Sequence, residues 1–357
     1  MNHDTGHVAG SDDDARPNQL PLLQLTNGFM AFKTFAAAVE LGVFTELAGG
    51  AALGVDAFAQ RFGLGVRPAR VLTAGLASLG LLESGPEGYR NSRLAETFLV
   101  DGRPDYFGNY VRFYDQMLYP VWHRATDALR TGRPVLWDPD SRESVFGPED
   151  KLLMQLFWEA MHSLAGFTAN ALASVYDFGA HRRLLDVGGG SGGFPIALCR
   201  RVPSLSASVY ELPHVCPIAS GKIADAGLGD RVGTIAGDFS KDPHLPGGYD
   251  AILLSQILHC VDEPTGRALL DKGMAALEPG GSLLICEFLL NPERTGPPEA
   301  ALMGMNMLIG QTGGQNYSEA EYAAWLTSAA FEKVEIRRFA SAGANGVVIG
   351  RKPGDVA

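Results

Sequence analysis

The stretch Asp186-Val187-Gly188-Gly189-Gly190-Ser191-Gly192-Gly193 limits what this chain can fold into more than any other. Residues 184–187 read as a short buried strand, and residues 194–201, directly after the glycines, as a helix. Glycine loses more backbone freedom on folding than any other residue, so five glycines in six positions are costly for a mere connection. They are explained where a ligand must lie against backbone without Cβ atoms, at the carboxyl edge of a sheet. The rhythm continues downstream with strands at 207–212, 232–236, 250–254 and 282–290 and helices at 218–226 and 265–277. Such alternation predicts an α/β domain over residues 178–357, a mostly parallel sheet wrapped by helices. Residues 333–340 and 346–350 read as an antiparallel hairpin closing one sheet edge.

Upstream the pattern changes. Residues 1–18 have almost nothing to bury and read as a disordered tail in which His3 and His7 are solvated. Between Leu20 and Leu47, apolar residues including Leu22, Leu25, Phe29, Phe32 and Val39 recur at helical spacing around more than one face. A helix so overloaded needs cover, from its own chain or from a second copy in a homodimer. Residues 57–62, 67–79 and 81–90 then give helix, turn, helix and hairpin, a winged-helix outline that often binds DNA. Here the second helix turns apolar after Arg67 and Arg70, which speaks for packing, so 19–105 is expected to be a dimerisation domain. Residues 106–177 are dense in aromatics and methionines; they read as core or as an apolar pocket for an aromatic ligand, walled by residues such as Trp158 and Met161.

Composition narrows the function. The 357 residues, 46% hydrophobic and 19% charged, suffice for two compact domains. Forty acidic residues against 29 basic ones give a net charge of −11, which argues against a surface that neutralises phosphate backbones; no nucleic acid is expected as partner. Cys199, Cys216, Cys260 and Cys286 lack the clustering of a disulfide scaffold or structural zinc site, and no metal is expected. No apolar run approaches the roughly 20 residues of a membrane span, and the start lacks the order of a signal peptide, so the expected location is cytoplasmic.

Gly188, Gly190 and Gly193 satisfy the GxGxxG spacing of dinucleotide binders. Asp186 speaks against that reading, because a carboxylate just before the first glycine would repel a pyrophosphate. It suits a ligand with an ammonium and sugar hydroxyls but no phosphate, such as S-adenosylmethionine; a nicotinamide dehydrogenase is the disfavoured alternative. Glu211 ends the second strand, where it can accept hydrogen bonds from ribose hydroxyls. After the third, Asp238 can accept from an adenine amino group and Phe239 can cover the ring. His259 follows the fourth strand on the same sheet edge.

These residues lie in the motifs Leu185-Asp186-Val187-Gly188-Gly189-Gly190-Ser191-Gly192, Glu211-Leu212-Pro213-His214-Val215, Gly237-Asp238-Phe239 and Gln256-Ile257-Leu258-His259. With Phe35-Ala36-Ala37-Ala38-Val39-Glu40-Leu41-Gly42, they resemble S-adenosylmethionine-dependent small-molecule O-methyltransferases of the plant caffeate and bacterial polyketide-tailoring type, from about residue 20 to 350. The resemblance implies a Rossmann-like class I methyltransferase domain behind an N-terminal winged-helix dimerisation domain that completes the neighbouring subunit's pocket. It implies that Gly188 and Gly190 hold the methionine part of the cofactor, Glu211 the ribose, and Asp238 and Phe239 the adenine. Asp186, Leu212, Gly237, Ser255 and Gln256 complete the implied cofactor set. Implied substrate walls are Phe113, Met117, Trp158, Met161 and His162 on one side, Met303, Asn306 and Met307 on the other.

His259 matches the family's catalytic histidine, a base able to take a phenol proton, and Glu287 the acid that orients it. Two departures stand out. His259-Cys260-Val261 replaces a frequent His-Asp-Trp, and Gly313-Gly314-Gln315-Asn316 replaces the Gly-Gly-Lys-Glu of many plant members, leaving an amide, Asn316, at a third catalytic position. The expected function is methylation of a hydroxyl on an aromatic or polyketide-like small molecule. The alternatives are C-methylation of an activated ring carbon on the same scaffold and, from another class, a winged-helix DNA-binding regulator.

Overall fold

The computed structural model describes residues 18–103, 106–142, 144–147 and 151–354; residues 1–17 of the expected tail, with His3 and His7, lie outside them. The chain divides between Ser92 and Arg93 into two compact units. The first holds α1 (Leu20–Glu40), α2 (Val43–Glu46), α3 (Val55–Arg61), α4 (Val66–Ser78) and an antiparallel hairpin of β1 (Leu82–Gly85) and β2 (Gly88–Asn91). This is the winged-helix outline expected from the sequence. Its core gathers Phe44, Leu47, Phe58 and Leu76, all fully buried or nearly so, and Asn91 Nδ2 ties the hairpin to the Phe44 carbonyl at 2.8 Å. On α1 only Ala36, Ala38 and Val39, near its C-terminus, are buried.

The second unit begins with α5 (Arg93–Phe98), α6 (Gly108–Phe113), a π turn (Tyr114–Leu118), α7 (Tyr119–Trp122), α8 (Ala125–Thr131) and the long α9 (Lys151–Val175). Then come β3 (Arg183–Val187), α10 (Gly193–Arg201), β4 (Ser206–Glu211), α11 (Cys216–Asp225), β5 (Val232–Ala236), β6 (Tyr249–Ser255), α12 (Glu263–Ala276) and β7 (Leu277–Glu287). It closes with α13 (Pro298–Gly310), α14 (Glu319–Ser328), β8 (Glu332–Arg338) and β9 (Gly346–Arg351). The division falls earlier than the expected boundary after residue 105. The reason is Phe98, whose ring packs edge-on against Phe167 of α9 at 4.9 Å and whose carbonyl accepts from Phe107 N, so α5 belongs to the second unit. Residues 106–177 are likewise part of that unit: Ala165 of α9 sits so close to α10 that a Cβ at Gly193 would come within 2.4 Å of it.

The sheet runs β5-β4-β3-β6-β7-β9-β8, parallel from β5 to β7 and antiparallel where β9 joins. The closing hairpin lies at the expected edge, with the last strand inside and β8 outermost. Period-two alternation sends successive side chains to opposite faces. Leu184, Leu253 and Leu284 join one core with Leu172 of α9 and Leu198 of α10, while Leu185, Leu254 and Leu283 join another with Leu270 of α12 and Trp325 of α14. Each such buried leucine contributes roughly 1.5–3 kcal/mol. Connections leave β3 toward β4 on one side and, later, return to β6 on the other, so the carboxyl end of β3 is the switch point where open α/β sheets bind ligands. The glycine run begins there. No single helix among the described residues is long and apolar enough to cross a membrane.

Candidate active site

Above the carboxyl edge of the sheet lies a cavity of about 930 Å³. The glycine loop enters it from β3, with Gly188 at φ +66° and Gly190 at φ +55°, left-handed conformations that side chains with a Cβ avoid. At Gly190 a Cβ would also stand 2.5 Å from the Trp158 ring, so the loop and α9 leave no room there. Two carboxylates define the chemistry of this edge. Glu211 Oε2 accepts from Gly190 N at 2.9 Å and its Oε1 from Leu212 N at 2.7 Å, so the side chain ending β4 also shapes the loop after β3. Asp186 is fully buried; Oδ1 meets Ser255 Oγ at 3.4 Å, and Oδ2 has no hydrogen-bond partner among the described residues. Burial and then the Glu211 charge push the Asp186 carboxyl up to about 8, and burial likewise raises Glu211. Glu211 lines the cavity, whereas Asp186 lies behind Gly189 and is not on its wall; a desolvated acid on the wall, a second one behind it and a cradle of bare backbone fit a cationic ligand with hydroxyls to donate, which is what S-adenosylmethionine presents.

The rest of the implied cofactor set lies on neighbouring strand ends. Leu212, Asp238, Phe239, Ser255 and Gln256 line the cavity. Asp238 Oδ1 accepts from Ser240 N at 2.9 Å, and Lys272 Nζ bridges the Phe239 and Asp242 carbonyls at 2.8 and 2.7 Å, which fixes the loop after β5. Gly237 is not on the cavity wall; it packs over the Tyr210 ring, where a Cβ would come within 2.3 Å. Gln256 is held at φ +53° by its N–H bond to the Cys286 carbonyl, a strained backbone of the kind that collects at functional sites.

On the cavity wall beyond this edge stands His259. Its Nδ1 lies 2.5 Å from Glu287 Oε2, while Glu287 Oε1 accepts from Leu258 N at 3.0 Å and His259 N at 3.3 Å. Burial alone pulls the imidazole down, but the Glu287 charge, followed by Cys260, outweighs it, and the net direction is well above the ordinary value. Glu287 is itself fully buried behind the ring and does not reach the cavity. In the neutral imidazole a carboxylate on Nδ1 fixes the proton there and leaves the Nε2 lone pair as acceptor.

Of the implied substrate residues, Phe113, Trp158, Met161, Met303, Asn306 and Met307 line the same cavity, with Trp122 Nε1 donating to Asn306 Oδ1 at 3.4 Å. Met117 and His162 stand outside it. Met117 packs with Trp137 and Leu153, and His162 Nδ1 contacts Ser191 Oγ at 2.8 Å, supporting the glycine loop from behind. Asn316 also fails to reach the cavity: it is 2% exposed, its Nδ2 holds the Phe288 carbonyl at 2.9 Å, and it backs onto Gly304 of α13. It is a buried amide that does not face this cavity, and its Oδ1 has no hydrogen-bond partner among the described residues. Tyr110 and Tyr114, which the sequence leaves among aromatics of core or pocket, bring their rings to 4.3 Å, tilted at 35°, on the cavity wall at the start of the π turn. Their i, i+4 spacing was visible, but nothing in the sequence told a pocket wall from core. Burial raises both phenols, so this wall stays uncharged. Among the described residues no three of His, Cys, Asp and Glu converge as a metal site.

Residues 122–332 match the O-methyltransferase domain family, and residues 23–101 the O-methyltransferase dimerisation domain. The chain is 46% identical over 93% of its length to 3-hydroxy-5-methyl-1-naphthoate 3-O-methyltransferase of Streptomyces sahachiroi, covering 94% of that protein. It is 34% identical over 97% of its length to the tetracenomycin polyketide synthesis 8-O-methyl transferase of Streptomyces glaucescens, covering 98% of it. The crystal structure of human N-acetylserotonin methyltransferase in complex with S-adenosylmethionine superposes with a TM-score of 0.83 at 26% identity, over 96% of this chain and 99% of that one. The chain therefore belongs to the S-adenosylmethionine-dependent small-molecule O-methyltransferases, the family that the strand-end acids and glycine loop resemble.

Proposed function

We infer that the acceptor is a hydroxyl on a fused-ring aromatic, polyketide-like small molecule and that His259 is its general base. The observation that carries this reading is the His259–Glu287 pair on the wall of a cavity whose other walls are aromatic rings and the glycine loop. S-adenosylmethionine, when bound, supplies an electrophilic methyl group. The chain's part is alignment and proton transfer. Phe113, Tyr114 and Phe157 offer ring faces and edges to a flat acceptor, which holds the hydroxyl in one orientation. His259 Nε2 takes the hydroxyl proton as the new bond forms, and Glu287 stabilises the resulting imidazolium through Nδ1. Asp186 and Glu211 would hold the cofactor's ammonium and ribose. Support from relatives comes from the hydroxynaphthoate and tetracenomycin enzymes, both of which methylate oxygen by name. Incubation with carbon-13-methyl-labelled cofactor and a hydroxylated naphthalene should give a product whose labelled methyl correlates by NMR as a methoxy group. A label bonded to ring carbon would transfer the assignment to C-methylation.

The enzyme acts as a homodimer on this reading. Leu20, Leu22, Leu23, Leu25, Phe29 and Met30 of α1 are all about half exposed or more, in the region that matches the dimerisation domain. Apolar patches of this extent mark interfaces. Light scattering at micromolar concentration should give twice the chain mass, and Leu25→Glu with Phe29→Glu should lower it. A monomer in the unmodified protein would remove the dimer.

A further inference from the structure

We propose that residues 135–142, between α8 and α9, carry a subsite for a carboxylate on the methyl acceptor, with the guanidinium of Arg142 as its receptor; this rests on the aromatic-acceptor reading above. These residues are anchored. Val135 N and Leu136 N donate to the Ile309 carbonyl at 2.9 and 3.2 Å, Trp137 Nε1 donates to the Gly310 carbonyl at 2.8 Å, and His214 Nε2 lies 2.6 Å from the Phe146 carbonyl further along. Arg142 lies between these anchors and lines the cavity that holds His259. Its guanidinium carbon sits 5.7 Å from the Trp137 ring centroid, which positions the group over an aromatic face.

Among the described residues, the acids of this stretch are engaged. Asp140 pairs with Arg133 at 2.7 Å, and Asp138, 3.8 Å from the same guanidinium, accepts from Asp140 N at 3.0 Å. Lys241, another cation of the cavity, faces Asp238 at 3.9 Å. Among the described residues no acceptor is hydrogen-bonded to Arg142 and no carboxylate pairs with it, although the side chain is half-buried. The nearby walls, Phe113, Tyr114, Leu118 and Phe146, offer rings and alkyl groups and no negative charge. A guanidinium that rests on a ring keeps its in-plane N–H fork free, and that fork matches a carboxylate through two parallel hydrogen bonds. An aromatic acid bound here would lie flat against the rings, with its acid group fixed by Arg142 and the rest of its frame left to reach His259.

The test compares 3-hydroxy-1-naphthoate with its carboxamide, each binding to the full-length protein saturated with S-adenosylhomocysteine, by calorimetry. Wild type should bind the acid more tightly. Arg142→Met should reduce the acid-to-amide preference by roughly 10- to 100-fold, the usual worth of a charged hydrogen-bonded contact, while S-adenosylhomocysteine affinity stays as it was. Arg142→Lys should restore part of the preference. The proposal is overturned if wild type shows no preference for the acid, if Arg142→Met keeps it, or if cofactor affinity falls in step with it. Because binding is read apart from turnover, an acid preference that depends on Arg142 without any methylated product would leave the subsite standing and overturn the acceptor reading instead.

Discussion

His259→Ala is expected to lower turnover by roughly 10²- to 10⁴-fold, the usual worth of a positioned base, with cofactor affinity nearly unchanged. The variant should fold, because Glu287 Oε1 keeps its two backbone donors, Leu258 N and residue 259 N, when the ring is gone. Its residual rate should climb as pH approaches about 10, where a phenol ionises unaided. Wild type should behave differently. A base works only when unprotonated, and the Glu287 charge holds the imidazole well above its ordinary value, so kcat/KM should rise with pH along a limb centred above about 6.5. Glu287→Gln removes that charge, so the limb should move to lower pH while turnover falls less than in the alanine variant. A purely structural Glu287 would leave the limb in place. Turnover of His259→Ala within a few-fold of wild type across neutral pH would make alignment the main catalytic effect.

The parts of this molecule that were legible in its sequence are those that repeat with a period. Leu184-Leu185, Leu253-Leu254 and Leu283-Leu284 announce strands buried on both faces, and the acids that end β3 and β4 mark the ligand edge without any coordinates. What stayed hidden depends on contacts distant in sequence. Residues 135–137 are held by the carbonyls ending α13 and Phe146 by His214, partners that no local pattern announces. The unit boundary follows contacts of α5 that the sequence does not announce, such as Phe98 against Phe167. Motif matching places Asn316 at a catalytic position, but it does not show that the side chain is buried with Nδ2 on the Phe288 carbonyl. The sequence places Asp186 just before the glycine run, but its full burial and its Oδ2 without a partner among the described residues, which set its electrostatics, come only from packing.

Those electrostatics lead to the other large effect. Glu211→Ala should weaken S-adenosylmethionine binding by roughly 100-fold, because it removes a charged acceptor, worth about 1.5–3 kcal/mol, and also frees the Gly190 and Leu212 N–H groups that the carboxylate holds. Asp186→Asn separates charge from shape. In the cofactor-free protein the Asp186 carboxyl titrates at about 8, against about 3.9 in the unfolded chain, so between those values the folded state binds the extra proton. Stability contributed by this group is therefore present at acid pH and is lost as pH rises from about 4 to 8, at a slope on the order of 1.4 kcal/mol per pH unit. Asp186→Asn should flatten that part of the denaturation profile and leave the empty protein more stable than wild type at pH 8. The same variant should bind S-adenosylmethionine less tightly, since the amide cannot offer a negative charge to a cationic ligand. Binding by wild type should in turn release a proton near neutral pH, seen as a binding enthalpy that depends on the buffer's ionisation heat. If Glu211→Ala and Asp186→Asn both retain wild-type affinity, the ligand does not lie on this sheet edge, and the glycine loop is a connection between strand and helix.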